Sequence, residues 1–275
     1  IRNHEADGTL FDFINMAIRE VVEHNPDLQG VLDLWDYNGM HNGKRILDDS
    51  RLKALIEILS RYRMGRNITS DILDQTQEYF LSRFADTEVM YGDGFYTPKK
   101  VNNLIARLID PQQGSTIYDP FCGSCGLMIE AQRFIEMEYP EERNKALQLY
   151  GENTNPSAYS MAKMNTILHG YGNFHLANGN ALKNPSFISE DTGLMKFDYV
   201  MTNIPWNQGG YDEAFYMNDR LDRFRYGIPP NSSADWGWVQ HIWSSLNETG
   251  KAAIVLDTSA LLRGSKEKTI RKEFF

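Results

Sequence analysis

A chain of 275 residues, 41% hydrophobic and 24% charged, can bury a substantial core and has the balance of a globular protein of one or two domains. No apolar run reaches the ~18 residues of a membrane-spanning helix. Ile1 to Gly8 is too polar for a signal peptide, so a soluble, cytoplasmic protein with no membrane partner is expected. The formal net charge of −9 argues against strong unaided binding to a nucleic acid, whose affinity for proteins draws on Lys and Arg displacing counterions.

Up to about residue 90 the pattern is helical. Leu10, Ile14, Ala17, Ile18 and Val21 repeat at helical spacing, as do Leu52, Leu55, Ile56 and Leu59, and each set is expected to face a core. Asn25 to Asp49, rich in Gly, Asn and Asp, reads as loop, and a third helix is predicted from Ser70 or Asp71 to Phe84. Tyr91-Gly92-Asp93-Gly94 reads as a hinge, which places a helical domain over residues 1–90 and a second domain over 91–275.

Beyond Thr97 helices alternate with short apolar strands. Helices are predicted over Pro98–Leu108, Gly126–Glu136, Ser157–His169 and Asp235–Leu246, and strands over Thr116–Tyr118, Leu147–Tyr150, Phe174–Leu176, Phe197–Met201 and Ala252–Leu256. Gly170 suits a left-handed cap on the third of these helices. Alternation of this kind implies an α/β fold with a mostly parallel sheet, whose ligands bind beyond the carboxyl ends of the strands.

The residues in those positions carry the chemistry. After the first strand stands Asp119-Pro120-Phe121-Cys122-Gly123-Ser124-Cys125-Gly126, where glycines admit a ligand close to the backbone and the acid can pair with a cationic amine. The same turn contains Cys-x-x-Cys at a helix start, so a thioredoxin-like dithiol is an alternative. With only these two cysteines, neither a disulfide framework nor a structural zinc site is expected. Glu152, after the second strand, sits where a carboxylate can take both hydroxyls of a ribose, or is a surface acid. Asn178-Gly179-Asn180-Ala181-Leu182 follows the third strand as a polar turn. Asn203-Ile204-Pro205-Trp206 follows the fourth, combining an amide acceptor for an exocyclic amine with an aromatic face for a flipped base. Two basic groups stand out, Arg220, Arg223 and Arg225, and the tail Arg263, Lys266, Lys268, Arg271 and Lys272; taken alone, each reads more readily as a solvated charged surface than as a DNA contact.

Taken in order, Phe95-Tyr96-Thr97-Pro98, the Asp119–Gly126 turn, Tyr150-Gly151-Glu152-Asn153, the Met161–Gly170 helix end, Asn203–Trp206, Arg225-Tyr226-Gly227-Ile228-Pro229-Pro230 and Arg263-Gly264 span nearly the whole chain. This series resembles the adenine-N6 DNA methyltransferases, and most closely the modification subunits of type I restriction-modification systems. The resemblance implies a Rossmann-like methyltransferase sheet with helices on both faces behind an all-helical N-terminal domain. It implies S-adenosylmethionine as cofactor, with Phe95, Thr97 and Pro98 in its pocket, Asp119, Gly123 and Gly126 at the methionine moiety, Glu152 at the ribose and Asn180 at the adenine. Tyr96, Phe121, Ser124, Asn153 and Ala181 complete the implied cofactor set.

Asn203 Oδ1 and the Ile204 carbonyl would accept both hydrogens of the target amine, Pro205 would hold Ile204 extended, and Trp206 would stack on the extruded adenine. No metal is called for. Double-stranded DNA, a separate specificity subunit, a second modification subunit and a restriction (motor/nuclease) subunit are the implied partners. The sequence departs from the family pattern at Ile204, where a proline is usual, at Trp206 for Phe or Tyr, at Cys125 for glycine and at Asn180 for aspartate. Two further alternatives stay open: a DNA-clamping scaffold with a vestigial pocket, and methylation of a glutamine amide in a protein substrate.

Overall fold

A computed structural model of the chain describes residues 10–34, 36–41, 44–45, 48–61, 97–140, 146–189, 191 and 193–275, with isolated positions between 72 and 83. The chain divides into two compact units, Ile1–Gln77 and Glu78–Phe275. The hinge expected at Tyr91–Gly94 lies outside the described residues, as do Phe95 and Tyr96.

In the first unit, α1 (Leu10–His24) and α2 (Asp49–Ser60) are helical as expected. Asp48 caps α2 by accepting the Arg51 N–H at 2.8 Å, which satisfies one of the unpaired amides of the first turn. Leu10, Phe11 and Leu52 form the buried centre, with Ile14, Tyr37 and Ile56 against it. Val21, Leu55 and Leu59, expected in that core, are instead exposed. Leu52 and Ile56 are one helical row of α2 and face inward; Leu55 and Leu59 form the next row and are exposed, outside the buried cluster of described residues. The expected loop from Asn25 to Asp49 also holds a 3-10 turn, Pro26–Leu28, and a two-residue antiparallel ribbon, Met40–His41 with Lys44–Arg45. Of the predicted third helix only Ile72, Gln75, Thr76, Tyr79, Phe80 and Arg83 are described, and they are helical.

The second unit contains α3 (Lys99–Ile109), β1 (Thr116–Asp119), α4 (Gly126–Glu138), β2 (Gln148–Asn153), α5 (Pro156–Leu168) and β3 (Phe174–Asn178), followed by β4 (Phe197–Asn203), α6 (Asp235–Ser244), β5 (Leu246–Val255) and α7 (Ser265–Phe274). The five strands lie parallel in the order β3-β2-β1-β4-β5. Successive residues point to opposite faces of a strand, and both faces are buried here. Ile117, Leu149, Tyr199 and Met201 pack with Ile105, Met128 and Ala162 of α3, α4 and α5. Tyr118 and Val200, one residue out of phase, pack with Trp238 and Ile242 of α6.

Strand order reverses between β1 and β4, and loops leaving the two strands in opposite directions open a crevice there. Asp119 ends β1 and Asn203 ends β4, so topology alone brings the two motifs to one place. The Asn155 side chain caps α5 by accepting the Ser157 N–H, and Gly170 closes it at φ 70°, as expected. The β5 strand differs from expectation, starting at Leu246 rather than Ala252. Polar Asn247-Glu248-Thr249 hides the strand pattern, and the register with β4 shifts between Phe197 and Tyr199. Gly250 permits that irregular start, because a Cβ there would sit 3.0 Å from the Phe197 carbonyl oxygen. A second ribbon, Ile188–Ser189 with Gly193–Leu194, had no strand signal. No helix among the described residues is long and apolar enough to cross a membrane.

Candidate active site

The turn after β1 is held from several sides. Phe121 N–H donates to Asp119 Oδ1 at 3.0 Å, and Cys122 N–H donates to the Glu152 carbonyl at 3.0 Å. Asn153 Nδ2 donates to the Gly123 carbonyl at 3.0 Å and to Cys122 Sγ at 3.1 Å, while Asn165 Nδ2 on α5 donates to the Ser124 carbonyl at 2.6 Å. Gly123 and Cys125 are both left-handed, at φ 52° and 65°. Glycine adopts this conformation freely and cysteine does not, so Cys125 is the strained member. At Gly126 a Cβ would lie 2.8 Å from Asn102 Nδ2, the same nitrogen that donates to the Thr97 carbonyl. The start of α4 and the chain at Thr97 therefore close on each other, and a narrow cleft remains, lined by Thr97, Asp119, Phe121, Gly123, Gly126 and Asn203 among others.

Asn203 enters this cleft from β4. Its Nδ2 donates to Thr97 Oγ1 at 3.1 Å, which leaves Oδ1 buried with no hydrogen-bond partner among the described residues. A buried unpaired acceptor is costly, and this one faces a cleft from which a ligand group could complete it. Ile204 and Pro205 are buried behind it. Trp206 is 45% exposed, and its Nε1–H donates to the Val255 carbonyl at 3.1 Å, so the ring is pinned by one edge with its surface open.

Burial pushes the Asp119 carboxyl up to about 7, with Thr202 and the Phe121 N–H pulling the other way. Its ionised form is thus short of a positive partner. Burial also raises the Cys122 thiol well above its ordinary range, with the neighbouring Cys125 as a further cause. The two sulfurs are free and 3.7 Å apart. A reactive dithiol requires an accessible, acidified thiol; both thiols are buried and that of Cys122 is shifted the opposite way, which removes the thioredoxin-like alternative. No group of three or more His, Cys, Asp or Glu that could hold a metal ion occurs among the described residues.

Glu152, expected at a ribose, faces away from the cleft in this structure. It is fully buried, and its two oxygens accept from the Tyr118 hydroxyl at 2.7 Å and the Ser186 N–H at 3.0 Å. The physical reason is a polar chain running through the core. Arg223 Nη1 can only donate, so His241 Nδ1 accepts at 3.1 Å and the imidazole proton sits on Nε2, 3.2 Å from the Tyr118 hydroxyl. Burial, and then Arg223, hold His241 well below its ordinary pKa and neutral. Arg223 is itself buried against Asp219 at 2.7 Å and is withdrawn from the basic surface expected of it. Arg263 is likewise paired, with Asp235 and Glu267, whereas Arg220, Arg225, Lys266, Lys268 and Lys272 are exposed.

Asn180 Oδ1 accepts the Lys183 N–H, and its Nδ2 donates to the Tyr211 hydroxyl at 3.2 Å. Ala181 is buried and its carbonyl accepts from Arg223. Thr97, Asp119, Phe121, Gly123, Ser124, Gly126 and Asn203 thus come together at one cleft, Asn153 buttresses it from behind, and Glu152 is turned away from it. Asn102, Asn165, Asp235 and the role of Arg263 had no motif in the sequence to mark them. Asn165 inside α5 carried a hint, because polar residues buried in a helix need a specific partner.

An acid-and-glycine turn after β1 and an amide after β4, flanking the switch point of a five-stranded parallel sheet, define a methyltransferase-like α/β fold. Comparison with known proteins narrows this class. The N-6 DNA Methylase family matches residues 68–275. The type I restriction enzyme MjaVIII methylase subunit of Methanocaldococcus jannaschii is 39% identical over 98% of this chain and 46% of its own length. The HindI methylase subunit of Haemophilus influenzae is 32% identical over 94% of this chain and 57% of its own length. The crystal structure of a type I restriction-modification methyltransferase subunit from Streptococcus thermophilus superposes with a TM-score of 0.78 at 25% identity, covering 99% of this chain and 57% of that one. The chain belongs to the N-6 DNA methylase family, as its motif order implied. It spans about half the length of the curated relatives it matches.

Proposed function

We propose that this chain carries the catalytic unit of an adenine-N6 DNA methyltransferase that uses S-adenosylmethionine, and that it acts as the modification subunit of a type I restriction-modification system. The observation that carries the reading is Asn203 Oδ1, a buried acceptor without a partner among the described residues, beside the Asp119–Gly126 turn. The lone pair of an adenine amine is delocalised into its ring. Accepting both amine hydrogens, at Asn203 Oδ1 and the Ile204 carbonyl, favours a nitrogen whose lone pair is free to attack. Thr97 orients the amide by taking its Nδ2–H, and Trp206 offers its open face to a base swung from the duplex, a stack worth roughly 1–3 kcal/mol.

The cleft suits the methionine end of the cofactor. Asp119 lacks a cation, which an α-ammonium group supplies, and Gly126 leaves room where any side chain would meet Asn102. S-adenosylmethionine, when bound, supplies an electrophilic methyl group on a sulfonium. Asn153 and Asn165 keep the turn in shape, while Asn180 follows β3 with its amide held by the Lys183 N–H and the Tyr211 hydroxyl. The type I names of the relatives support a complex with a specificity subunit, a second modification subunit and a restriction subunit. A chain of charge −9 also draws on a partner for its hold on double-stranded DNA.

The test is transfer of labelled methyl from S-adenosylmethionine to an adenine-containing duplex with the specificity partner present, and mass spectrometry of the product. N6-methyladenine is expected. Asn203→Ala should abolish transfer and leave donor affinity within about twofold, because the interaction it removes belongs to the reacting amine. Methylglutamine as product, or wild-type turnover by the variant, overturns the assignment.

A further inference from the structure

The residue after the stacking tryptophan is left-handed: Asn207 has φ 55°. Its backbone N–H donates to Asp235 Oδ1 at 2.9 Å, and its side-chain Oδ1 accepts from Arg263 Nη1 at 2.5 Å. Arg263 Nη2 in turn donates to Asp235 Oδ2 at 2.5 Å. Asn207, Asp235 and Arg263 therefore form a closed ring that grips one residue by main chain and side chain together. The ring is anchored away from the cleft, since Asp235 is fully buried in the first turn of α6 and Arg263 also donates to buried Glu267 on α7. The far edge of the indole is tied separately, by Nε1–H to the Val255 carbonyl. Trp206 is thereby fixed at two points while its face stays open. A solvated loop needs no such arrangement, and a half-exposed indole on a free loop would sample several rotamers.

We infer that Arg263, with Asp235, is a positioning residue pair for base capture, clamping Asn207 so that Trp206 is held ready for an extruded base. The inference rests on the adenine-methylation reading for its consequence, and on the geometry alone for the clamp. Base capture by a prearranged ring avoids ordering the loop at the moment of extrusion, so the loss falls on extrusion and turnover rather than on the donor.

Two variants test it in the full complex. Arg263→Lys keeps a positive charge beside the buried Asp235 and Glu267 but loses the planar fork that reaches several acceptors at once. Asn207→Gly keeps the left-handed backbone without strain and removes only the side-chain acceptor. With 15N-labelled tryptophan, the Trp206 indole N–H cross-peak should move and exchange faster by about tenfold in both variants, while that of buried Trp238 stays in place. Fluorescence of 2-aminopurine at the target position should fall, and kcat should drop about tenfold to a hundredfold, the size expected from a misplacement of about 1 Å. The KM for S-adenosylmethionine should stay within about twofold. An unmoved Trp206 cross-peak in both variants refutes the clamp, and unchanged kcat and extrusion despite a moved peak refute its role. If the wild-type complex methylates no adenine, the functional reading fails on its own, and the indole measurement still judges the clamp.

Discussion

Asp119 couples the charge of the cleft to pH. Its carboxyl titrates at about 7 in the folded protein against 3.8 when unperturbed, so the native state holds the proton more tightly than the unfolded chain. The stability contribution is therefore complete below 3.8 and is lost as pH rises through about 7. At ~1.4 kcal/mol per unit, ionised Asp119 costs the donor-free protein on the order of 4 kcal/mol. Thermal stability should fall from pH 4 to 7 more steeply than in Asp119→Asn. A bound ammonium group reverses the preference, so S-adenosylmethionine affinity should weaken as pH falls below about 7, with protons released on binding. Calorimetry in buffers of different ionisation enthalpy reads that release, and its absence would remove Asp119 from the cofactor's amine. Glu152 behaves otherwise. Removing its carboxylate leaves the buried Tyr118 hydroxyl and Ser186 N–H without acceptors, at about 1–3 kcal/mol each. Glu152→Ala should accordingly lose stability in urea titrations before any effect on donor affinity is interpretable, and unaltered stability would contradict the buried chain.

At the scale of elements, the turn after β1 and the neighbouring strand β2 each depend on a glycine, in different ways. A Cβ at Gly126 meets only the end of the Asn102 side chain, which can swing aside. Gly126→Ala should thus keep most of its stability and lose donor affinity, since displacing Asn102 disturbs its bond to the Thr97 carbonyl at the edge of the cleft. A Cβ at Gly151 meets Met128, Cys122 and Leu176 at 2.7–2.9 Å, inside the packed face of the sheet. Gly151→Ala should destabilise by about 1–3 kcal/mol through overpacking, seen as a lower melting temperature. Helices α3, α4 and α5 and strands β1 to β4 were legible because apolar periodicity and end signals such as Asn155 and Gly170 agreed with burial on the sheet. The start of β5 and the two short ribbons were not, because their residues alternate no hydrophobicity and are extended only by pairing with a neighbour. The same limit applies to α2, where two apolar rows look alike in sequence and only one is covered.

For the whole molecule, charge is the relevant quantity. Net charge is −9, and two of the arginines that could have offset it locally, Arg223 and Arg263, are spent on Asp219, Asp235 and Glu267. Alone, the chain should bind duplex DNA no better than the ~10⁻⁴–10⁻⁶ M typical of non-specific contacts at physiological salt. Adding the specificity partner should tighten binding and steepen its salt dependence. Fluorescence anisotropy across a salt series reads both, and tight, salt-sensitive binding by the isolated chain would contradict the expected dependence on a partner.

Local chemistry in the amino-acid order was enough for the alternation of helices and strands, the parallel sheet, and the family, because propensity, periodicity and short motifs act over a few residues. It also named Asp119, Gly126 and Asn203, since the ends of parallel strands are where such folds bind ligands. Which charges are free and which are buried came from tertiary structure alone. Arg223 and His241 lie 18 positions apart and Asn207 and Arg263 lie 56 apart, and no local pattern records whether two such side chains meet. Burial sets the cost of a charge, and burial is a property of the packed chain; it turned Glu152 inward, raised Asp119, enclosed the two thiols and closed the ring behind Trp206.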